Sequence, residues 1–240
     1  MVSSPKEKSA LTVERVQPSY VQVAEQLRDA IVQGQVKPGD QLPIESELSA
    51  LFGVSRSTTR EALRLLSSQH LVSTRRGING GTFVNKPNPE EIEGFLEVAL
   101  GLLAGSDSLS MDEVVEARGL LEIPAARLAA RRATTEQIQE MEKECAAAGL
   151  DRPSFEHDRR LHELILDASG NRLLGVMSRP MFVISRGRVS RDAAPRQFWL
   201  DVRDDHRRIV KAIAERDEEK AGEEMRTHLA CLAKTYGDLV

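Results

Sequence analysis

The chain of 240 residues is 40% hydrophobic and 29% charged, the composition of one ordinary globular domain or a pair of them. No apolar run approaches the ~18 residues that cross a bilayer, and residues 1–17 are polar without the apolar stretch of a signal peptide, so neither a membrane protein nor a secreted precursor is expected. The net charge of −4 divides unevenly: residues 1–88 carry 11 Lys and Arg against 8 Asp and Glu, and residues 89–240 carry 22 against 29. A basic first third on an acidic body suits phosphate contact at one end only. Cys145 and Cys231 are far apart and form no CxxC pair, which fits a reducing cytoplasm.

Residues 1–17 read as a flexible arm. From Tyr20 to Gln33, apolar residues at Val21, Val23, Ala24, Leu27, Ala30 and Ile31 predict an amphipathic helix that Gly34 ends. Pro38-Gly39-Asp40 is a turn. Two short helices follow over Glu45–Phe52 and Ser55–Ser67, hinged at Gly53, with Ser55 as N-cap. Leu71–Thr74 and Thr82–Val84 read as strands joined by a glycine-rich tip, Arg75-Arg76-Gly77-Ile78-Asn79-Gly80-Gly81. Three helices and a basic hairpin make a winged helix over residues 18–86, and Pro87-Asn88-Pro89 reads as the linker behind it.

Arg56, Arg60 and Arg64 recur at i, i+4 and i+8 and share one face of the third helix, with Ala62, Leu65 and Leu66 mostly on the other. Guanidinium groups so placed suit guanine edges or phosphates of a major groove. Ser55, Ser57, Thr58 and Thr59 add short hydroxyl donors at the helix start, where anions are favoured. Arg75, Arg76 and Gly77 at the hairpin tip can reach the minor groove or flanking phosphates. The alternative for the stripe is surface ion pairing, for example of Arg60 or Arg64 with Glu61.

Everything after residue 89 has helical periodicity. Seven segments are predicted: Glu90–Ala104, Met111–Arg132, Thr135–Ala148, Arg152–Ala168, Arg172–Val189, Arg196–Glu215 and Glu218–Tyr236. The short breaks between them imply an antiparallel all-helical bundle over residues 90–236. Asp158 and His162, at i and i+4, project from one helix face. His206 and His228 stand 11 residues on either side of Asp217. A helical hairpin folded there puts both imidazoles at one height, roughly 16 Å from the turn. Three imidazoles and a carboxylate suit Zn²⁺, or Ni²⁺, Mn²⁺ or Fe²⁺ with water completing the shell. A lone histidine is ordinarily a core or surface residue, the reading kept for His70 and His157. Arg118, in Glu116-x-Arg118-x-x-Leu121-Glu122, would be costly to bury unpaired. Near a metal it could clamp a carboxylate bidentately; the alternative is a salt bridge to Glu122 at i+4. Asn171 and Arg186 are further candidates for contact with a small-molecule effector, with a purely structural role as the alternative for each.

Residues 18–86 resemble the winged-helix domain of GntR-family bacterial transcription regulators. The resemblance rests on Gln35-Val36-Lys37-Pro38-Gly39, Leu42-Pro43-x-Glu45-x-Glu47-Leu48, Gly53-Val54-Ser55-Arg56-x-x-x-Arg60-Glu61-Ala62-Leu63, and Gly77 with Gly80-Gly81-Thr82-Phe83-Val84. Ser46 stands where the family often has a DNA-contacting arginine, which leaves a phosphate contact there in place of a base contact. Arg76 stands where some relatives have histidine. Residues 90–236 resemble the FCD effector domain of the FadR subfamily, through Asp158-x-x-x-His162, Gly170-Asn171-x-x-Leu174, His206-x-x-Ile209-x-x-Ala212-Ile213, Asp217-x-x-x-Ala221 and Met225-x-x-His228. Many FCD proteins bind a divalent metal at the four matching positions, so the resemblance implies a metal on Asp158, His162, His206 and His228. It points away from the metal-free, acyl-CoA-sensing branch and places Arg118 toward the effector pocket.

The expected protein is mainly α-helical and is a transcription regulator of repressor type rather than an enzyme. A homodimer would present two winged helices to an inverted-repeat operator in double-stranded DNA. A small carboxylate bound at or near the metal would change operator affinity. Two alternatives stay open. One is a metal-dependent hydrolase, although no HExxH or GxSxG motif is present. The other is an architectural DNA-binding protein that uses the metal only to fold.

Overall fold

The computed structural model describes residues 16–78, 80–106, 109–147, 155–184 and 195–239. Most of the arm read at residues 1–17 falls outside them. The chain divides into two compact units, Met1–Pro87 and Asn88–Val240.

The first unit holds α1 (Ser19–Val32), α2 (Glu45–Phe52), α3 (Arg56–Ser68), β1 (Val72–Arg75) and β2 (Gly81–Val84). α1 buries a stripe of Val23, Ala24 and Leu27 and packs on α3. The start of α2 is fixed by Glu47, whose carboxylate accepts from Ile44 N at 3.0 Å. Its end is fixed by Gly53 at φ +65°, a left-handed conformation that a Cβ would strain. Ser55 then caps α3, its Oγ accepting from Thr58 N at 3.1 Å. α3 buries Thr59, Ala62, Leu63 and Leu66, which close on Leu48, Val72 and Val84. The strands pair antiparallel, Val72 opposite Val84 and Arg75 opposite Gly81. A bridge from Gln41 to Phe83 covers the free edge of β2.

The second unit begins with α4 (Pro89–Gly105). Asn88 is its N-cap, accepting from Glu90 N at 3.0 Å, and Pro89 fills the first turn. Two of the three residues read as linker therefore start a helix, because proline at the first helical position loses no intrahelical bond. α5 (Met111–Arg132) opens on a reciprocal Ser110–Glu113 cap and runs through Pro124. The missing proline N–H deprives only the carbonyl of Leu120, a residue 72% exposed, where water can replace it. α6 (Thr135–Ala147), α7 (Phe155–Ala168) and α8 (Arg172–Ser178) follow.

The helix predicted over Arg172–Val189 is not continuous. Arg179–Met181 forms a 3₁₀ turn, because Pro180 has no N–H to continue the ladder. Residues 185–189 of that segment, Arg186 among them, lie outside the described residues. α9 (Arg196–Ala214) and α10 (Glu218–Leu239) turn back on each other through Arg216 at φ +62°. Asp217 Oδ1 caps α10 by accepting from Lys220 N at 2.9 Å.

α5 packs on α7, α9 and α10, and α6 on α7 and α9. Their core includes Met141, Leu161, Ile165, Ile209, Ile213, Met225 and Leu232, all fully buried. Each such side chain contributes about 1.5–3 kcal/mol on leaving water. Both cysteines are free. Among the described residues, no helix is long and apolar enough to cross a membrane.

Candidate metal centre and nucleic-acid interface

In the first unit, the burial of Thr59, Ala62, Leu63 and Leu66 turns Arg56, Ser57, Arg60 and Arg64 to solvent. Arg60 crosses to the first turn of α2, where Nη2 donates to Glu45 Oε2 at 2.8 Å and Nε lies 3.2 Å from both carboxylate oxygens. That hydrogen bond, against slight burial, lowers the Glu45 pKa. Arg64 Nη1 donates to Glu61 at 2.7 Å. The ion-pair alternative thus describes the free protein, with Glu45 rather than Glu61 as the partner of Arg60. Exposed pairs of this kind contribute little, so both arginines can exchange carboxylate for phosphate.

Ser55 Oγ lies 2.7 Å from Ser57 Oγ and 2.8 Å from Thr58 Oγ1, a cluster of hydroxyls at the α3 N-terminus. Ser46 is half-buried in the first turn of α2. At the hairpin tip, Arg75 stacks its guanidinium 4.9 Å from the Phe83 ring, and Arg76, Gly77 and Ile78 are exposed. Gly77 turns at φ +111°, a conformation open to glycine.

In the second unit, Asp158, His162, His206 and His228 meet, with one donor atom from each within 4.8 Å of the others. α7 supplies the first two, and α9 and α10 one imidazole each. His206 and His228 have ring centroids 4.7 Å apart, as their equal distance from Asp217 predicts. The convergent atoms are Asp158 Oδ1 and three Nε2 nitrogens. Oδ1 lies 3.6 Å from His162 Nε2, 3.2 Å from His206 Nε2 and 3.8 Å from His228 Nε2. His162 Nε2 and His228 Nε2 are 3.1 Å apart. Donors held about 2.0–2.1 Å from one ion stand roughly 3–3.5 Å from each other, so the set fits a divalent cation. Asp158 Oδ1 and His206 Nε2 are buried without a hydrogen-bond partner, a cost that coordination removes.

Two outer carboxylates face the imidazoles. Glu122 Oε2 is 2.5 Å from His162 Nδ1, and Asp205 Oδ2 is 3.3 Å from His228 Nδ1. Arg118 donates to Glu122 through Nε at 2.7 Å and Nη2 at 3.3 Å, and Ser178 Oγ donates to Glu122 Oε1 at 3.2 Å. The Arg118 guanidinium lies 4.7 Å from the centroid of the Phe182 ring. Arg118 is therefore buried in the salt bridge weighed against its effector role. Neither outer carboxylate was singled out for contact with the imidazoles from sequence. The legible signals were Glu122 four residues from Arg118, and Asp205 beside His206 and three residues before Arg208.

Electrostatics follow from this packing. Burial alone would raise the Glu122 carboxyl, but Arg118 and His162 outweigh it and hold the pKa at about 2. Burial would lower His162, yet Glu122 and Asp158 bring it to about 9. Burial lowers His206, and burial with the neighbouring imidazoles holds His228 well below its usual value. Against the opposing effect of burial, His162 and His206 keep Asp158 well below the ordinary carboxylate range. Glu122→Ala is expected to cost about 3–5 kcal/mol, since it strands a buried guanidinium, and a thermal melt reads that loss. Because the folded pKa of Glu122 is depressed, its stabilising contribution is complete above its ordinary value of 4.5 and is lost as pH falls toward about 2. Acid titration of the wild type against Glu122→Gln should show their stabilities converging in that window.

Asn171 is exposed and caps α8, its Oδ1 accepting from Leu173 N at 3.2 Å. His157 pairs with Glu144 at 2.5 Å, and His70 lies in the first unit; neither belongs to the four-donor set.

A winged helix with exposed arginines marks a DNA-binding protein, and the same chain carries a helical bundle with a buried four-donor centre. Residues 19–84 match the family model "Bacterial regulatory proteins, gntR family", and residues 113–230 match the FCD domain. The chain is 33% identical over 211 residues to the HTH-type transcriptional regulator LutR of Bacillus subtilis, covering 83% of this chain and 92% of that protein. It is 30% identical over 237 residues to the Uxu operon transcriptional regulator of Escherichia coli, covering 92% and 87%. Among solved structures, Streptococcus agalactiae GntR superposes with a TM-score of 0.55 at 26% identity, covering 90% of this chain and 99% of that one. The chain belongs to the GntR family and carries an FCD effector domain. It is a DNA-binding transcription regulator and not an enzyme, which removes the hydrolase alternative.

Proposed function

We propose that this regulator is a homodimeric, cytoplasmic repressor whose grip on an inverted-repeat operator is set by a small carboxylate bound at a divalent ion. Asp158, His162, His206 and His228 hold that ion, with Zn²⁺ the best match to a nitrogen-rich set and Ni²⁺, Mn²⁺ or Fe²⁺ the other candidates. The carrying observation is the convergence of Asp158 Oδ1 and three Nε2 atoms from three helices on one buried point. The charge balance supports an anionic effector. Glu122 is matched by Arg118, and Asp205 by Arg208. Arg208 is shared with the outlying Glu224, but Asp158 is the one carboxylate of the four-donor set, so a divalent ion leaves that set itself net positive. When bound, the ion supplies a Lewis-acidic position for a carboxylate oxygen. Arg118 is the proposed second anchor, with Asn171 and Arg186 as further contacts. Isothermal titration of metal-loaded protein with a panel of hydroxy acids and dicarboxylates tests this. A bound carboxylate that Arg118→Ala no longer holds supports the assignment, and binding of equal strength in that variant refutes it.

On the DNA side, Arg56, Arg60 and Arg64 carry the recognition helix. Ser46, Ser55, Ser57 and Thr58 contact phosphates, and Arg75, Arg76 and Gly77 form the wing contact. The proposed boundaries are a winged helix over 18–86, a junction over 87–89 and an effector domain over 90–236. Expression from a promoter carrying an inverted-repeat operator selected from random duplex DNA should rise when the protein is absent; a fall instead would make it an activator.

Dimerisation is proposed through α4 and α8, which pack on each other. α4 leaves Phe95, Val98 and Leu102 exposed, and α8 leaves Leu173 and Met177 exposed. A cluster of large apolar side chains in water is the usual mark of a protein interface. The double substitution Phe95→Glu and Leu102→Glu should yield a monomer by light scattering and lower operator affinity. A dimer of unchanged mass would move the interface elsewhere.

A further inference from the structure

The imidazole of His228 is tied to its own helix hairpin by a chain of contacts through Asp205, Arg208 and Glu224. Asp205 Oδ2 faces His228 Nδ1 at 3.3 Å. The other carboxylate oxygen of Asp205 accepts from Arg208 Nη2, and Arg208 Nε donates to Glu224 Oε2 at 3.0 Å. Asp205 and Arg208 are on α9; Glu224 and His228 are one turn apart on α10. Both Asp205 and His228 are buried.

We propose that Asp205, held in place by Arg208, is a positioning residue that fixes the tautomer and ring angle of His228 for metal binding; this rests on the metal site proposed above. A carboxylate facing Nδ1 keeps the ring proton on that nitrogen, and the Nε2 lone pair is then the one presented to Asp158 and the other imidazoles. The contact also makes the imidazole more electron-rich, which strengthens it as a ligand. Arg208 supports the contact in two ways. It balances the buried carboxylate charge, and it spans α9 and α10, so the two helices that carry His206 and His228 keep one register.

The test is metal affinity measured by competition with a chromophoric chelator, using Zn²⁺ and Co²⁺ as probes, on the full-length protein. Wild type, His228→Ala, Asp205→Ala, Asp205→Asn and Arg208→Gln are compared, and each metal-free protein is melted in parallel. Asp205→Ala is expected to weaken metal binding about 10- to 100-fold. Asp205→Asn, which keeps an acceptor oxygen but no charge, should lose less, and Arg208→Gln should fall between Asp205→Asn and wild type. The Co²⁺ absorption bands of Asp205→Ala should shift as His228 changes angle. Wild-type affinity and an unchanged Co²⁺ spectrum in Asp205→Ala, alongside weak binding by His228→Ala, overturn the positioning role and leave the metal site standing. A wild type that binds neither ion overturns both. A loss in Asp205→Ala that merely tracks a collapse of the metal-free melting temperature marks a structural residue instead. If Asp205→Ala does not fold, Asp205→Asn carries the test, and an affinity equal to wild type refutes the proposal.

Discussion

His206→Ala and His228→Ala proteins should leave purification depleted of divalent metal and melt well below the wild type. Each imidazole supplies one of four convergent donors, and each comes from a different helix of the α9–α10 hairpin that packs on α5. Loss of a direct ligand should exceed the roughly 10- to 100-fold weakening that follows loss of an outer-shell partner. An ion present at about 1,000 times its dissociation constant adds about 4 kcal/mol to stability. For a chain of this size that is about 8–16 °C in Tm. Elemental analysis and paired melts with and without chelator read both effects. Chelation should lower the wild-type melt toward that of the variants, while the variants respond little. A wild type that carries no first-row metal after reconstitution, and does not shift with chelator, would remove the metal from the account.

The second large effect concerns DNA. Arg56→Ala and Arg60→Ala should each weaken binding to a selected operator by about 5- to 150-fold, the span of one lost base or phosphate contact, with folding unchanged. Both side chains lie on the exposed face of α3. Arg60 must leave Glu45 to do so, so Glu45→Gln should not weaken binding and should raise affinity at low salt by removing a competing carboxylate. Ser46→Ala should matter less, because a serine makes at most a phosphate contact. Anisotropy titrations at matched salt compare all four. Unchanged affinity in both arginine variants would displace α3 from the groove.

Much of this was legible in the sequence because the determinants are local. Gly53, Ser55 and the period of Ala62, Leu65 and Leu66 specify a helix, a hinge and a capped second helix without help from tertiary contacts, although the structure buries Leu63 more deeply than Leu65. The Asp158/His162 spacing and the mirror placement of His206 and His228 about Asp217 likewise follow from helical geometry alone. What was not legible depends on packing between elements distant in sequence. Glu45 becomes the partner of Arg60 only because α2 lies across the hinge from α3. Glu122 and Asp205 become outer-shell groups only once α5 meets α7 and α9 meets α10. Arg118 was read as an effector contact with a salt bridge to Glu122 as the alternative; burial beside Glu122 shows the salt bridge in the free protein. That Asn88 and Pro89 of the 87–89 segment also open α4 was not read, because Asn-Pro is as good a helix start as it is a breaker. The break at Pro180 was missed because the hydrophobic period runs through it.

The most direct test of the central claim is operator binding measured three ways on one sample. The metal-loaded protein is titrated onto a fluorescent operator duplex alone, again with saturating carboxylate found in the calorimetric screen, and again after the metal is stripped by chelator. The carboxylate should shift the operator Kd by about 5- to 150-fold, the usual range of coupling between two sites. The shift should vanish in the stripped protein and in Arg118→Ala, while each of these still binds DNA. A carboxylate effect of equal size without the metal, or none with it, would contradict the account.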